Sequence, residues 1–180
     1  ADLQVGRVLD AVEARATQTP LLTVVASDHG EAFFPDGRRH GVSMSEAELR
    51  VPLLIKGPGV TPGRTDALVW LADVAPTLFA ATGAPIPQGL DGRNLAPLLT
   101  GGTWPEPRVV MADTWRFDAA GDPELDAIAA LDGHAKLVWR RLPHVFGFEP
   151  RGAADGPSGP RLRDALRDYV EGSGGAIDLE

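Results

Sequence analysis

The sequence contains no cysteine. Disulfides are therefore excluded, and so is any zinc site built on thiolates. Positive charge is also scarce: 17 Lys and Arg stand against 25 Asp and Glu, a net charge of −8. The basic residues are scattered and form no stripe, which argues against nucleic acid or an anionic membrane as a partner. No apolar stretch approaches the length needed to cross a bilayer, and there are no internal repeats. What remains is 180 residues of ordinary apolar content, enough for one or two domains with a real core.

The most informative segment is Leu21-Leu22-Thr23-Val24-Val25-Ala26-Ser27-Asp28-His29-Gly30-Glu31. A run rich in Val and Leu stops at an acid, an imidazole and a glycine. Such a run reads as a buried strand of a parallel sheet, apolar on both faces. Open parallel sheets carry their chemistry just beyond the carboxyl ends of the strands. Asp28 and His29 stand at that position, and a carboxylate beside an imidazole is a pair of metal-ligand types. The bland alternative is a capping Asp next to a surface His. Gly30 is expected to let the backbone turn sharply after them.

Three further segments follow in order. His40 precedes a polar stretch and then Leu49-Arg50-Val51-Pro52-Leu53-Leu54-Ile55-Lys56, a second apolar run broken by Gly57-Pro58-Gly59. Asp73-Val74-Ala75-Pro76-Thr77 opens a short helix, with Asp73 as N-cap, Pro76 in the first turn and Gly83 as stop. Asp91-Gly92-Arg93-Asn94-Leu95 then leads into one or two helical turns ending near Leu99. Elsewhere, Val5, Val8, Leu9 and Val12 mark an amphipathic helix over 1–16. A short helix is expected at 45–49, and strands at 51–56, 108–113, 136–141 and 144–149. The acidic, Ala-rich segment 118–132 reads as a helix or a loop. A Gly/Pro-rich loop is expected over 150–160. Leu162, Leu166, Tyr169 and Val170 mark a closing helix. The Gly/Pro-rich stretch 101–107 is the expected boundary between 1–104 and 105–180.

Five of these blocks, in this order, resemble the sulfatase family of the alkaline-phosphatase superfamily: Ser27-Asp28-His29-Gly30-Glu31, Leu49-Arg50-Val51-Pro52-Leu53, Gly57-Pro58-Gly59-Val60, Asp73-Val74-Ala75-Pro76-Thr77 and Asp91-Gly92-Arg93-Asn94-Leu95. The resemblance implies an α/β fold: residues 1–104 as part of a helix-sheet-helix sandwich, and 105–180 as a small antiparallel subdomain with a closing helix. It implies hydrolysis of sulfate esters with a formylglycine nucleophile made from Cys or Ser in a Cys/Ser-x-Pro-x-Arg motif. That motif is missing here. Ser158-Gly159-Pro160-Arg161 has its Arg one place early, and Val60-Thr61-Pro62-Gly63-Arg64 has Val at the nucleophile position. The expectation is a C-terminal portion of a larger enzyme, inactive by itself, with a sheet edge left exposed and prone to self-association. A portion of this kind carries no information on compartment.

By the resemblance, Asp28 and His29 supply two ligands of a divalent cation, and His40 contacts the sulfate or the leaving-group oxygen. The cation expected is calcium, with manganese left open because calcium prefers an all-oxygen shell and position 29 is an imidazole. The partner is a sulfate ester. Two alternatives stay open: a phosphoesterase, phosphonate-ester hydrolase or phosphotransferase of the same superfamily, and a non-catalytic binding module. Glu31 reads as a solvated or helix-starting acid. Arg38 and Arg39 read as anion-binding or as a solvated loop pair. His134 and His144 read as surface residues, Lys56 as a solvated strand-end lysine, and Trp70, Trp104, Trp115 and Trp139 as packing.

Overall fold

In the computed structural model, the structure describes residues 2–16, 19–33, 40–41, 43–104, 107–140, 145–149 and 158–172. The expected turn at 35–37, Arg38, Arg39, His144, the loop at 150–157 and the chain's last eight residues lie outside them. The described residues gather into two compact units, each discontinuous in sequence. The first comprises Ala1–Ala26, Pro52–Thr65 and Leu71–Thr103; the second comprises Ser27–Val51, Asp66–Trp70 and Trp104–Glu180. One of the divisions between the units falls at 103/104. Segments 27–51 and 66–70, however, join the later residues.

In the first unit, helix α1 (Asp2–Ala16) precedes strand β1 (Thr23–Ala26). Strand β2 (Leu53–Lys56) pairs with β1 antiparallel, Thr23 opposite Lys56 and Ala26 opposite Leu53. This corrects the expectation of a parallel, fully buried strand: an apolar run records suitability for burial and not the direction of its neighbour. The two-stranded ribbon leaves Thr23, Val24 and Val25 half-buried and Leu54 exposed. Of the expected stripe on α1, Leu9 and Val12 are half-buried, while Val5 and Val8 are exposed. Lys56 is indeed solvated, and its ammonium pairs with Glu13 on α1.

Helix α3 (Val74–Thr82) ends as expected at Gly83, whose φ of 72° is the left-handed conformation that glycine adopts freely. Its start differs from expectation. A 3-10 turn (Leu71–Asp73) leads into it, so Asp73 has helical φ and ψ and its side chain caps nothing. The Asp73 carboxylate is fully buried and accepts the backbone N–H of Arg93 at 2.7 Å. Thr77 Oγ1 donates to the Asp73 carbonyl at 2.6 Å and accepts the Leu95 N–H at 2.8 Å. The two sequence blocks are therefore halves of one polar latch, with buried donors and acceptors matched. Gly92 is required by the same closure, since a Cβ there would lie 2.0 Å from the Ala72 carbonyl oxygen. Helix α4 (Ala96–Leu99) follows as a single turn.

The second unit holds helix α2 (Glu46–Leu49) and a four-stranded antiparallel sheet, β3 (Val110–Phe117), β4 (Pro123–Leu131), β5 (Lys136–Arg140) and β6 (Val145–Glu149), in that spatial order. Strand β4 overturns the reading of 118–132 as helix or loop. Ala-rich sequence favours helix locally, but every residue from Ala127 to Leu131 is buried. Ile128 and Ala130 join Leu137, Trp139 and the closing helix α5 (Ser158–Gly172). Ala127, Ala129 and Leu131 face the other way, toward Met44, Val110 and Val138. A strand covered on both faces shows no alternation of apolar and polar residues, which is why it was not legible as one. On α5, Leu162, Leu166 and Val170 are buried at the expected helical spacing. Each contributes roughly 1.5–3 kcal/mol by burial.

The turn between β4 and β5 is built on Asp132, whose Oδ1 accepts the N–H groups of His134 and Ala135, each at 3.0 Å. Burial would raise the Asp132 pKa, but these bonds, one from Ser158 and the charge of Arg161 outweigh it and hold the carboxyl below its usual value.

Candidate functional site

The chain leaves β1 at Ala26 and reaches Asp28 two positions later. Residues 27–31 belong to the second unit, where α2 supports them. The Gly30 N–H donates to the Glu48 carbonyl at 2.8 Å. A Cβ on Gly30 would sit 1.9 Å from the Ala47 carbonyl oxygen. Gly30 is not among the glycines with positive φ. Its smallness therefore serves close approach to α2, and not the sharp turn read from sequence.

Helix α2 is itself held from several sides. Glu48, which is buried, accepts the Ser43 N–H through Oε2 at 3.1 Å. Lys136 of β5 is only 2% exposed. Its ammonium donates to the Met44 carbonyl and lies 3.7 Å from Glu46 Oε1. A charge this deep in a core persists only with such partners. Sequence reading missed this residue, because a Lys in an apolar strand gives no sign of the loop it will meet.

Asp28 is the most open of the site residues, its side chain 87% exposed. Its Oδ1 accepts the His29 backbone N–H at 3.0 Å, and Oδ2 lies 3.9 Å from His29 Nε2. His29 Nδ1 is 2.8 Å from the Gly30 carbonyl oxygen. A carbonyl oxygen only accepts, so Nδ1 carries the proton and neutral His29 keeps its free lone pair on Nε2. Nε2 and the Asp28 carboxylate thus stand side by side with lone pairs available.

The structure brings His40 to the same place. Its ring stacks on that of His29, centroids 3.9 Å apart and planes 23° from parallel. His40 Nδ1 donates to Glu31 Oε2 at 2.9 Å. That bond holds the Glu31 carboxyl below its usual value of 4.5 against the opposing effect of burial, helped by the positive charge His40 can carry and by the N–H groups of Phe33 and Ala32. Glu31 is therefore a paired acid and not the solvated one read from sequence. The residues that pair lie nine positions apart, across a segment without periodicity, so no local pattern could have linked them. Phe33, at the end of this arrangement, has φ of 50° and is 83% exposed.

Asp28, His29, Glu31 and His40 form one exposed cluster of two acids and two imidazoles. Among the described residues, no group of three or more His, Asp or Glu side chains is arranged to hold a metal ion by itself. His134, in contrast, is exposed in the β4–β5 turn. Trp139 is a core residue, and Trp70 packs beside the core. The Trp104 indole N–H donates to the Leu68 carbonyl at 3.1 Å, whereas Trp115 is half exposed.

Comparison with known proteins meets this geometry from three directions. Residues 1–84 match the family model described as Sulfatase. The human protein named Arylsulfatase K is 35% identical over 98 residues, which is 54% of this chain and 18% of that protein. A Drosophila melanogaster protein named Extracellular sulfatase SULF-1 homolog is 36% identical over 100 residues, 54% of this chain and 9% of that protein. The chain matches about a fifth of the length of the arylsulfatases K. Among solved structures, a phosphonate monoester hydrolase from Silicibacter pomeroyi superposes with a TM-score of 0.72 at 24% identity, over 95% of this chain and 38% of that one. A protein described as a 2-O GAG sulfatase gives 0.72 at 20% identity, over 98% and 43%. These superpositions establish the α/β, alkaline-phosphatase-like fold. In the order of its sequence blocks and over residues 1–84, the chain is similar to the sulfatase family.

Proposed function

We propose that this chain is part of a metal-dependent sulfuric ester hydrolase. In this reading Asp28 and His29 supply two ligands of a divalent cation, and His40 addresses the sulfate group or the leaving oxygen. The observation that carries it is the exposed Asp28 carboxylate lying 3.9 Å from His29 Nε2, with His29 Nδ1 already committed to the Gly30 carbonyl. A carboxylate oxygen and an imidazole with a free Nε2 lone pair suit a divalent cation. Calcium is favoured by the oxygen and manganese is admitted by the nitrogen. The cation, when bound, would neutralise charge on the ester oxygens and hold the nucleophile.

The rest of the chemistry belongs to this chain's own residues. A sulfate monoester repels nucleophiles through its oxygens, so donors around it lower the barrier. His40, with Nδ1 tied to Glu31, has Nε2 left to donate to an anionic oxygen or to protonate a departing one. An imidazole does either near neutral pH. Gly30 and α2 fix the backbone from which Asp28 and His29 project. The 180 residues hold neither Cys nor a Ser-x-Pro-x-Arg motif, so the chain alone is expected to turn over no ester.

The test is turnover of aryl sulfate, aryl phosphate and aryl phosphonate by the complete enzyme containing this chain, each with and without a chelator. Chelator-sensitive preference for the sulfate supports the reading. Preference for the phosphate or phosphonate moves the assignment to the competing branch of the superfamily. No turnover of any ester, with Asp28→Ala indistinguishable from wild type in bound metal, leaves a binding module.

A further inference from the structure

We infer that Thr114 of β3 is a positioning residue for His40: its hydroxyl holds the Gly41 carbonyl, so the four-stranded sheet sets where the imidazole stands. This rests on the reading of His40 as the group that addresses the ester.

Three observations carry it. The first is the bond itself. Thr114 Oγ1 donates to the Gly41 carbonyl at 2.7 Å, across 73 positions of sequence. Gly41 follows His40 directly and turns the chain with φ of 79°. The bond therefore grips the backbone one residue from the imidazole. The second is another anchor a few residues on, where the Lys136 ammonium of β5 donates to the Met44 carbonyl. The chain that follows His40 is thus held by β3 at Gly41 and by β5 at Met44. The third is the local shape of β3. Val110 and Ala112 lie on the face that meets Met44, and Thr114 falls on that face by alternation. At this point the pairing with β4 slips. Thr114 stands opposite Ala127 but Trp115 opposite Leu125, which leaves Asp126 as an extra residue. Such a bulge bends the sheet and re-aims a side chain, and bulges are over-represented beside active sites. Arg116 Nε lies 3.7 Å from Asp126 Oδ1 and ties the extra residue back to β3.

The ring's own contacts, the stack on His29 and the bond to Glu31, orient the imidazole. They do not fix where its backbone stands. That matters, because a displacement of about 1 Å at a reacting group can cost roughly 10²-fold in rate. Gly41 is exposed, so without Thr114 its carbonyl takes a water instead, and little stability depends on the bond.

The test compares Thr114→Val, which keeps the shape and loses the hydroxyl, with Thr114→Ser, which keeps the hydroxyl. In the complete enzyme, Thr114→Val should lower kcat roughly 10-fold while KM changes by less than about 3-fold. Bound metal should be maintained, and Thr114→Ser should recover most of the loss. Wild-type kcat in Thr114→Val overturns the inference. So does a Ser variant as slow as the Val variant, an effect on KM alone, or a Val variant that loses its metal or fails to fold, since the hydroxyl would then serve the fold in general. A second measurement does not depend on turnover. In the 180-residue chain, the stacked His29 and His40 rings displace each other's carbon-bound proton signals in ¹H NMR. Thr114→Val should move these signals toward their positions in free histidine, and unchanged signals in the folded variant overturn the inference. If the complete enzyme hydrolyses no sulfate ester at all, the functional reading fails, and the ring signals still decide whether Thr114 sets the place of His40.

Discussion

Asp73 and Asp28 each belong to a sequence block that marks the family, and the structure treats them in opposite ways. Asp73 is fully buried, with its carboxylate on the Arg93 N–H and its carbonyl on Thr77 Oγ1. Asp28 has a side chain 87% exposed. Its one hydrogen bond among the described residues is local, to the next residue's N–H. One acid is matched to protein donors and closes a latch between α3 and the 91–95 turn. The other keeps most of its lone pairs free beside an equally available imidazole. A shared family motif is therefore no guide to role. The number of uncommitted lone pairs is, because a paired and buried carboxylate contributes to stability while an open one can take a ligand.

The sharpest way to break this comparison is to remove each acid in turn from the complete enzyme. Asp28→Ala should abolish metal-dependent turnover and lower bound metal while leaving the melting temperature nearly unchanged. Undiminished activity would reduce Asp28 to a surface residue. His40→Ala should come next in size, with turnover lower by roughly 10²–10⁴-fold and metal content maintained. Loss of metal as complete as in Asp28→Ala would make His40 a ligand instead.

Asp73→Ala should show the reverse pattern. It leaves the half-buried Arg93 N–H without its Asp73 acceptor, at a cost of about 1–3 kcal/mol. Denaturant unfolding should report this as a lower midpoint. Metal content measured below the transition should not move.

The smallest expected effect concerns Asp132, another carboxylate fully engaged by protein donors. Its pKa is lowered from 3.8, so its contribution to stability is complete above that value. The contribution disappears as pH falls through the lower folded value. The stability difference between wild type and Asp132→Asn should therefore be constant near neutrality and shrink below about pH 4. A difference that persists unchanged in acid would mean that the turn does not depend on the carboxylate's charge.

Much of this architecture was legible in the sequence where local chemistry decides. Gly83 ended α3 because the left-handed stop needs glycine, and Leu162, Leu166 and Val170 announced α5 by their spacing. Asp28 and His29 stand in one of the family-like blocks, whereas His40 lies outside all five and was singled out only by its position in the resemblance. Failures arose where a distant partner decides. Strand β4 reads as helix until both its faces find cover. The direction of β1 depends on β2. Asp73 reads as a helix cap until the Arg93 N–H arrives from twenty residues on. Gly30 serves α2, Lys136 of β5 serves the loop that precedes it by some ninety residues, and Glu31 finds His40 across a patternless segment. In each case the residue type was compatible with its role, but the partner was not written nearby.

The most direct test of the contrast between open and committed carboxylates is a manganese titration of the 180-residue chain followed by two-dimensional ¹H–¹⁵N NMR. A paramagnetic ion broadens signals near the place where it binds. The account predicts that the amide signals of Ser27 to Gly30 broaden first, that Asp28→Ala removes this effect, and that the signals of Asp73 and Arg93 stay sharp at the same metal concentration. Earlier broadening at Asp73 and Arg93, or broadening at 27–30 that survives Asp28→Ala, would contradict it.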